Sequence, residues 1–567
     1  MTGDYDLLVK NGRIVTGLGN PWFRGDVCIK NGRVAGVGRI REHVDAESVI
    51  DANGLIVAPG FIDTHSHYGL KIIEDKKCEP LIMQGITTAL FGQDGFSTAP
   101  SGSSDHKETL KKYLSGLDGE TRQGEWSWHS FGEYLSSIQA NGSAVNFASL
   151  VGHGTIRLCV MGFSLRGPTA PELESMCHLL RTTMKEGAMG MSTGLVYPPS
   201  MYAETEELIE MCKVLREAGG VYFSHVRGEG NNLIPAFQEA VRIGRESGVP
   251  VQISHHKVIG QSNWSKARES IVIVTEAREK EGLDITTDQY PYSAGSTTLT
   301  ALLPPWSLEG GIEQMLARLK EPKTRRNVKR DAENGLPGWE GYALFPETVM
   351  VSYCRRTKEF EGMTLSEIAE MHGKLPTEEL FDILVENDGV ASCVLYQQSE
   401  ENVKLIMKNS FSGFCSDGIA TGRPHPRLYG TFPRVLGRYV RVERVLELEE
   451  AIRKMTSLPA QRLGIADRGV LQVGMFADVV IFDAEKVIDN ATYENPFQFP
   501  TGIEYVIVNG QIVVKRAEHT GALPGAVIRG PSFQYPGKKV FLPRAHSTLK
   551  SHDHRPAQQN ITEAWKT

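Results

Sequence analysis

The sequence predicts an α/β protein: a TIM (β/α)8 barrel carrying a small β domain built from both chain termini. Three observations predict it. The middle of the 567-residue chain counts out as eight strand-then-helix units, both ends read as β structure, and nearly every polar residue suited to chemistry stands at a strand end. Alternating β and α units imply a parallel sheet covered by helices, and eight of them closed into a barrel place the active site at the C-terminal ends of the strands.

At the ends of the chain the signal is turn chemistry. Asn-Gly between β-rich runs is the strongest short hairpin signal. It occurs at Asn11-Gly12 within residues 7–15, at Asn31-Gly32 within 27–37, and at Asn509-Gly510 within 505–514, with a further strand over 477–482. These runs predict one small β domain over residues 1–58 and 468–530, with the barrel, 59–467, inserted into it. Residues 531–567 mix Pro, His, Lys and Gln without periodicity and read as an extended tail.

In the middle, the eight predicted strand ends are, in order, His65-Ser66-His67, Gly92-Gln93-Asp94, Gly152-His153-Gly154 and Ser192-Thr193-Gly194, then His225-Val226-Arg227, His255-His256-Lys257, Asp288-Gln289-Tyr290 and Ser416-Asp417-Gly418. Helical stretches such as 204–217 and 235–248 alternate with them. Residues 302–348 are too many for an ordinary loop and predict a lid over the barrel mouth.

Composition bounds the class of function. A content of 40% hydrophobic and 23% charged residues is that of a soluble globular protein. The net charge of -7 argues against a nucleic-acid surface, and no apolar run is long enough to span a membrane. The start, Met1 to Asp6, has neither a cationic region nor an apolar signal core. Eight cysteines without a C-x-x-C pair suit reduced thiols, and together these features predict a cytoplasmic protein. The oligomeric state stays open.

The chemistry begins at His65 and His67. Residues i and i+2 of a strand share a face, so both imidazoles project from the end of strand one toward a common point. A barrel brings His225 from strand five, His255 from strand six and Asp417 from strand eight to the same axial pocket. Adjacent strand residues face opposite ways, so only one of His255 and His256 can face that pocket. Such a set predicts a divalent metal with open coordination positions, which polarises a substrate carbonyl and lowers the pKa of water to about 7. Asp417 is placed to take the proton from that water and return it to a leaving nitrogen.

These residues resemble those of the amidohydrolase superfamily, and within it the D-aminoacylase (N-acyl-D-amino-acid deacylase) branch. The likeness runs from Asp4 to about Gly530. It rests on His65-Ser66-His67, on the run from Gly190 to Pro198 (Gly-Met-Ser-Thr-Gly-Leu-Val-Tyr-Pro), and on Ser254-His255-His256-Lys257. The run from Tyr290 to Thr297, Ser416-Asp417-Gly418 and Pro424-His425-Pro426-Arg427 complete it. The resemblance implies two adjacent metal positions, occupied by one or two ions, most simply Zn2+: His65, His67 and Asp417 match ligands of one, His225 and His255 of the other. It implies that Lys257, Tyr290 and Ser296 hold the carboxylate and amide end of a small-molecule substrate, and that Tyr197 hydrogen-bonds the developing oxyanion. For Tyr290 and Ser296 a purely structural role in a turn is the alternative. Arg227 and Arg427 are further cations near strand ends, either substrate contacts or members of internal ion pairs.

One position departs from the family. Its strand-two motif is Gly-Asn-Cys-Gly, with a metal-binding cysteine, whereas this chain has Gly92-Gln93-Asp94-Gly95. Asp94 stands where the thiolate stood. A carboxylate is a harder ligand that can bridge two ions, which opens the site to Mn2+ or similar metals. The resemblance implies hydrolysis of N-acyl-D-amino acids or related compounds. A cyclic-amide hydrolase of the hydantoinase or dihydroorotase kind is the alternative, and a non-catalytic dihydropyrimidinase-like scaffold a more distant one. The cyclic-amide enzymes usually bridge their metals with a carboxylated lysine on strand four, and residues 188–193 contain none.

Overall fold

Eight short strands, buried along their whole length, form the centre of the protein in the computed structural model, which describes residues 4–40, 44–119, 126–336 and 345–534. They are β1 (Phe61–Asp63, continuing at Ser66–His67), β2 (Ile86–Phe91), β3 (Asn146–Ser149, continuing at Val151–Gly152) and β4 (Gly190–Gly194). The second half comprises β5 (Val221–His225), β6 (Val251–Ile253), β7 (Ile285–Gln289) and β8 (Ser412–Phe414, continuing at Gly418–Ile419). Each pairs in parallel with the next. Gly418–Ile419 also pairs in parallel with Ser66–His67, so the last strand lies beside the first. Strands buried on both faces are what a parallel sheet covered by helices requires. The helices Thr205–Glu217, Leu233–Ser247 and Ala267–Glu279 follow β4, β5 and β6, and each packs against the next.

Both ends of the chain meet in one nine-stranded sheet. In it Val479–Phe482 pairs antiparallel with Ile56–Pro59, which leads directly into β1. Two of the three Asn-Gly pairs form the expected hairpins, at Asn31-Gly32 and Asn509-Gly510. The first does not. Tyr5–Ile14 is a single strand, and Asn11-Gly12 is a bulge within it, marked by a register shift between Val9 and Gly12. Asn11 takes φ 64°, and a Cβ on Gly12 would lie 2.5 Å from Val57 Cγ2. The dipeptide therefore serves a close backbone approach rather than a reversal.

Between β7 and β8 the chain builds a unit with a core of its own. Gly295–Thr298, Ala391–Leu395 and Val349–Cys354 form a three-stranded antiparallel sheet. Helices Ile312–Lys320, Pro322–Asn334 and Pro376–Glu386 cover it through Met315, Leu319, Val328, Leu380 and Phe381. The predicted lid segment, 302–348, supplies part of this unit, and its residues 337–344 lie outside the described residues. Of the predicted tail, 531–567, only 531–534 are described.

Candidate metal centre

The strand ends carrying the predicted ligands break out of the extended conformation. Asp94, His255 and Asp417 have φ of 55°, 39° and 48°, a left-handed backbone that costs a non-glycine residue about 1 kcal/mol or more and gathers at functional sites. Two buried carboxylates hold these turns. Asp63 accepts hydrogen bonds from the backbone N–H (2.8 Å) and hydroxyl (2.5 Å) of Ser416, tying β1 to β8. Asp288 accepts from the His255 backbone N–H and the Thr64 hydroxyl, both at 2.6 Å, tying β6 and β7 to β1. Ahead of Asp94, Gly92 is required outright: a Cβ there would sit 2.0 Å from the Leu150 carbonyl oxygen.

From these turns six side chains converge. Asp94 Oδ1 lies 3.5 Å from both His65 Nε2 and His255 Nε2. Its Oδ2 lies 3.5 Å from His67 Nε2 and 3.6 Å from His225 Nδ1. Asp417 Oδ1 lies 3.4 Å from His67 Nε2 and 3.5 Å from His65 Nε2. The donor atoms form two groups, each within 4.8 Å: His65, His67, Asp94 and Asp417, and Asp94, His225 and His255. Asp94 belongs to both.

The donor set fits a divalent cation. Both ring nitrogens of His65 and of His225, and Asp94 Oδ1, are buried without a hydrogen-bond partner, an arrangement that costs about 1–3 kcal/mol per group unless an ion satisfies it. Charge is distributed accordingly. Burial pushes the Asp94 carboxyl up, but His65, His255 and His225 outweigh it and hold it well below the usual range. Asp417 is likewise held down against burial, chiefly by Arg427 and His65. Burial, with Lys257 and His225, pushes His255 down to about 4, whereas for His65 and His67 the neighbouring carboxylates outweigh burial and raise the imidazoles.

Around the ligands stand partners that the motifs did not single out. Asp118 Oδ1 is 3.1 Å from His67 Nδ1. Glu229 Oε1 lies 3.5 Å from His255 Nδ1, 3.6 Å from His225 Nε2 and 2.5 Å from Lys257 Nζ. Asp118, as a carboxylate behind His67, fixes that ring and its tautomer, while His255 Nδ1 is 2.8 Å from Lys257 Nζ. Glu229 lies beyond the end of β5 at His225, so neither it nor Asp118 carries a strand-spacing signal in the sequence.

The cleft over the donors is lined by Tyr197, Lys257, Tyr290 and Ser296 among others. The Tyr197 hydroxyl is 2.7 Å from Thr297 Oγ1, its ring edge-on to His225. Tyr290 accepts a hydrogen bond from Gln398 Nε2 at 2.8 Å. Arg427 NH1 is 2.9 Å from Asp417 Oδ2, and its guanidinium lies 4.4 Å from the centre of the Tyr290 ring. Arg227 is not in the cleft. It pairs with Glu239 at 2.9 Å and donates to the carbonyls of Met201 and Ala203, so it is an internal ion pair rather than a substrate contact. His256 faces away from the donors, 2.9 Å from the Ser270 hydroxyl, and packs on Phe237.

A parallel strand ring with a histidine–aspartate centre at its carboxyl ends defines the amidohydrolase class of α/β proteins. The profile of the Amidohydrolase family matches residues 48–514, and the chain belongs to that family. It is similar to the D-aminoacylase of Alcaligenes xylosoxydans xylosoxydans, 36% identical over 525 residues that cover 92% of this chain and 97% of that one. Among solved structures it is similar to N-acyl-D-glutamate deacylase from Bordetella bronchiseptica, complexed with zinc and a phosphonate mimic of the tetrahedral intermediate. That likeness has a TM-score of 0.80 at 33% identity and covers 93% of this chain and 100% of that one. A D-aminoacylase crystal structure aligns with a TM-score of 0.78 at 34% identity, over the same shares of each chain.

Proposed function

We propose that this chain is a metal-dependent amidohydrolase that cleaves the amide bond of N-acyl-D-amino acids, or related acylated D-amino-acid compounds, to a carboxylate and a free amine. The observation that carries this reading is the position of Asp94 in both donor groups, on the floor of a cleft walled by Tyr197, Lys257, Tyr290 and Ser296. The names of the relatives, D-aminoacylase and N-acyl-D-glutamate deacylase, support the substrate class. A cyclic-amide hydrolase fits less well, because β4 (Gly190–Gly194) offers no lysine to bridge two ions and Asp94 already stands between the two groups.

His65, His67, Asp94, His225, His255 and Asp417 would hold one or two divalent ions. When bound, such an ion supplies Lewis acidity at the amide carbonyl and makes water a competent nucleophile near neutral pH. The side chains do the rest. Asp417, kept ionised by Arg427, accepts a proton from the attacking water at a carboxylate oxygen and delivers it to the amide nitrogen as the C–N bond breaks. Tyr197 donates a hydrogen bond from its hydroxyl to the carbonyl oxygen as negative charge develops there. Lys257, Tyr290 and Ser296 receive the substrate carboxylate; the Lys257 ammonium also contacts Glu229 Oε1, His255 Nδ1 at 2.8 Å and the His255 carbonyl at 3.4 Å.

We read the strand ring as a closed (β/α)8 barrel over residues 59–467 and the nine-stranded sheet as a small domain from residues 1–58 and 468–530. A cytoplasmic setting is supported by eight free cysteines. Among the described residues no helix is long and apolar enough to cross a membrane.

The test is hydrolysis of N-acetyl amino acids of both hands by metal-reconstituted protein, alongside ring amides. D-selective release of the amine supports the reading, and turnover of hydantoins alone would replace it. Asp417→Asn should keep the fold and lower turnover at least about 100-fold; near-normal turnover removes Asp417 from the mechanism.

A further inference from the structure

A second cavity meets the metal cleft at Tyr197, whose side chain lines both. The cavity volume is about 50 Å3. One wall is a row of aromatic rings running outward from the metal centre. Tyr197 stands edge-on to Phe96 at 5.4 Å, Phe96 stacks on Tyr113 at 4.4 Å, and Tyr113 stands edge-on to Phe163 at 5.4 Å. The opposite wall comes from the inserted unit, with Leu308, Ile312 and Met315. Ser115 donates to the Lys112 carbonyl at 2.7 Å and Thr298 lies 2.9 Å from the Thr300 hydroxyl, while the buried Tyr113 hydroxyl has no hydrogen-bond partner. At the outer end Lys112 pairs with Glu313, both half or more exposed, which marks the mouth at the surface.

Position in the ring decides what this cavity would receive. Phe96 and Tyr197 follow β2 and β4, while Lys257 and Tyr290 follow β6 and β7, which lie across an eight-membered ring. The scissile amide has an acyl carbon on one side and, on the other, the nitrogen whose substituent carries the carboxylate. With the carboxylate at Lys257 and Tyr290 and the carbonyl over the donor atoms, the acyl group runs toward Tyr197 and Phe96. There it meets an apolar channel rather than a wall.

We propose that this cavity is an acyl-chain site and that the preferred substrates are amino acids N-acylated with a straight, medium-to-long fatty chain. The proposal rests on the deacylase reading above and adds the chemical class of the acyl group. A buried methylene is worth about a fourfold change in an equilibrium or a specificity constant. An alkyl chain against four rings and three aliphatic side chains gains this repeatedly, and a short acetyl group leaves the cavity unused.

The experiment measures kcat/KM for metal-reconstituted protein on one D-amino acid bearing acetyl, butanoyl, hexanoyl, octanoyl and decanoyl groups. The proposal expects a rise of about three- to fourfold per methylene until the cavity is filled. Ile312→Trp, which fills the channel at the start of helix Ile312–Lys320, should abolish that rise and leave the acetyl substrate within about twofold. Ile312→Ala, which cannot clash, should move the optimum to a longer chain. Normal acetyl turnover with a flat or falling series, or a rise untouched by both variants, overturns the acyl-chain site and leaves the deacylase reading standing. Failure of every member, acetyl included, overturns that reading and the proposal together.

Discussion

Asp94 is the side chain on which the site turns, and it is where the sequence is expected to depart from a family cysteine. A thiolate at that position offers one soft donor, whereas the two oxygens of Asp94 face four different imidazoles at 3.5–3.6 Å. Asp94→Ala should lower bound metal, and Asp94→Cys should restore it with a shift toward zinc, the softer ion. Full metal content in Asp94→Ala, measured on purified protein, would make Asp94 a turn residue only. Lys257 calls for a different test, because its ammonium is 2.5 Å from buried Glu229. Lys257→Met strands that carboxylate and should destabilise the protein by about 3–5 kcal/mol, and Glu229→Gln in the same chain should recover most of it. In the double variant, KM should rise more for N-acyl amino acids than for their amides; an equal rise leaves Lys257 as the partner of Glu229 and nothing more. The convergence of the candidate ligands was legible because strand-end spacing constrains them: i and i+2 in β1, and the choice of His255 over His256. Asp63, Asp118 and Asp288 were not, since a carboxylate that holds a turn or a ring from behind has no spacing rule of its own. Arg227 shows the same limit from the other side, for its spacing suits a cleft residue while Glu239 and two carbonyls hold it elsewhere.

At the scale of elements, periodicity and turn chemistry carried unequal information. Stretches 204–217 and 235–248 read as helices and are found at Thr205–Glu217 and Leu233–Ser247, because an apolar stripe on a polar cylinder has one use. Asn-Gly served two uses, a hairpin at Asn31 and Asn509 and a bulge at Asn11; both need positive φ, so the dipeptide alone cannot choose. The inserted unit was legible only as excess length, since its sheet pairs residues about forty apart in one ladder and nearly a hundred apart in the other, across intervening helices. Lys454 shows how an element's end can be fixed by a residue no pattern marks. Fully buried on helix Leu448–Met455, its ammonium donates to the carbonyls of Met407, Asn409 and Ser412, where the chain enters β8. Lys454→Met removes three donors while keeping the volume, and should cost about 3 kcal/mol or more. Equilibrium unfolding measures this, and a change below about 1 kcal/mol would mean that those carbonyls find other donors.

For the molecule as a whole, the decisive contact is the one that brings the last strand of the ring to the first, and no local pattern announces it. It is made by two residue pairs, Gly418 with Ser66 and Ile419 with His67, by the Asp417 N–H donating to the His65 carbonyl at 2.7 Å, and by the Ser416 N–H and hydroxyl donating to Asp63. Such a seam is short against the five-residue register of β4 with β5. The candidate ligands lie on both sides of it, His65 and His67 on β1 and Asp417 on β8, so an ion held among them is also a cross-link between strands some 350 positions apart in sequence. Binding to the folded state alone stabilises it by about 4 kcal/mol when free ion exceeds its dissociation constant about 1,000-fold. Chelation should therefore lower the unfolding temperature reversibly. It should also open the seam before the rest of the ring, so that amide hydrogen exchange accelerates first at residues 64–67 and 415–419, ahead of β4 and β5. A metal bound only by a preformed pocket would leave exchange at the seam as slow as in β5 after chelation, although the unfolding temperature would still fall. Re-addition of metal to Asp94→Ala discriminates further, because that variant keeps the seam ligands and loses the link to His225 and His255. Its seam should regain protection, while the affinity at which it does so falls.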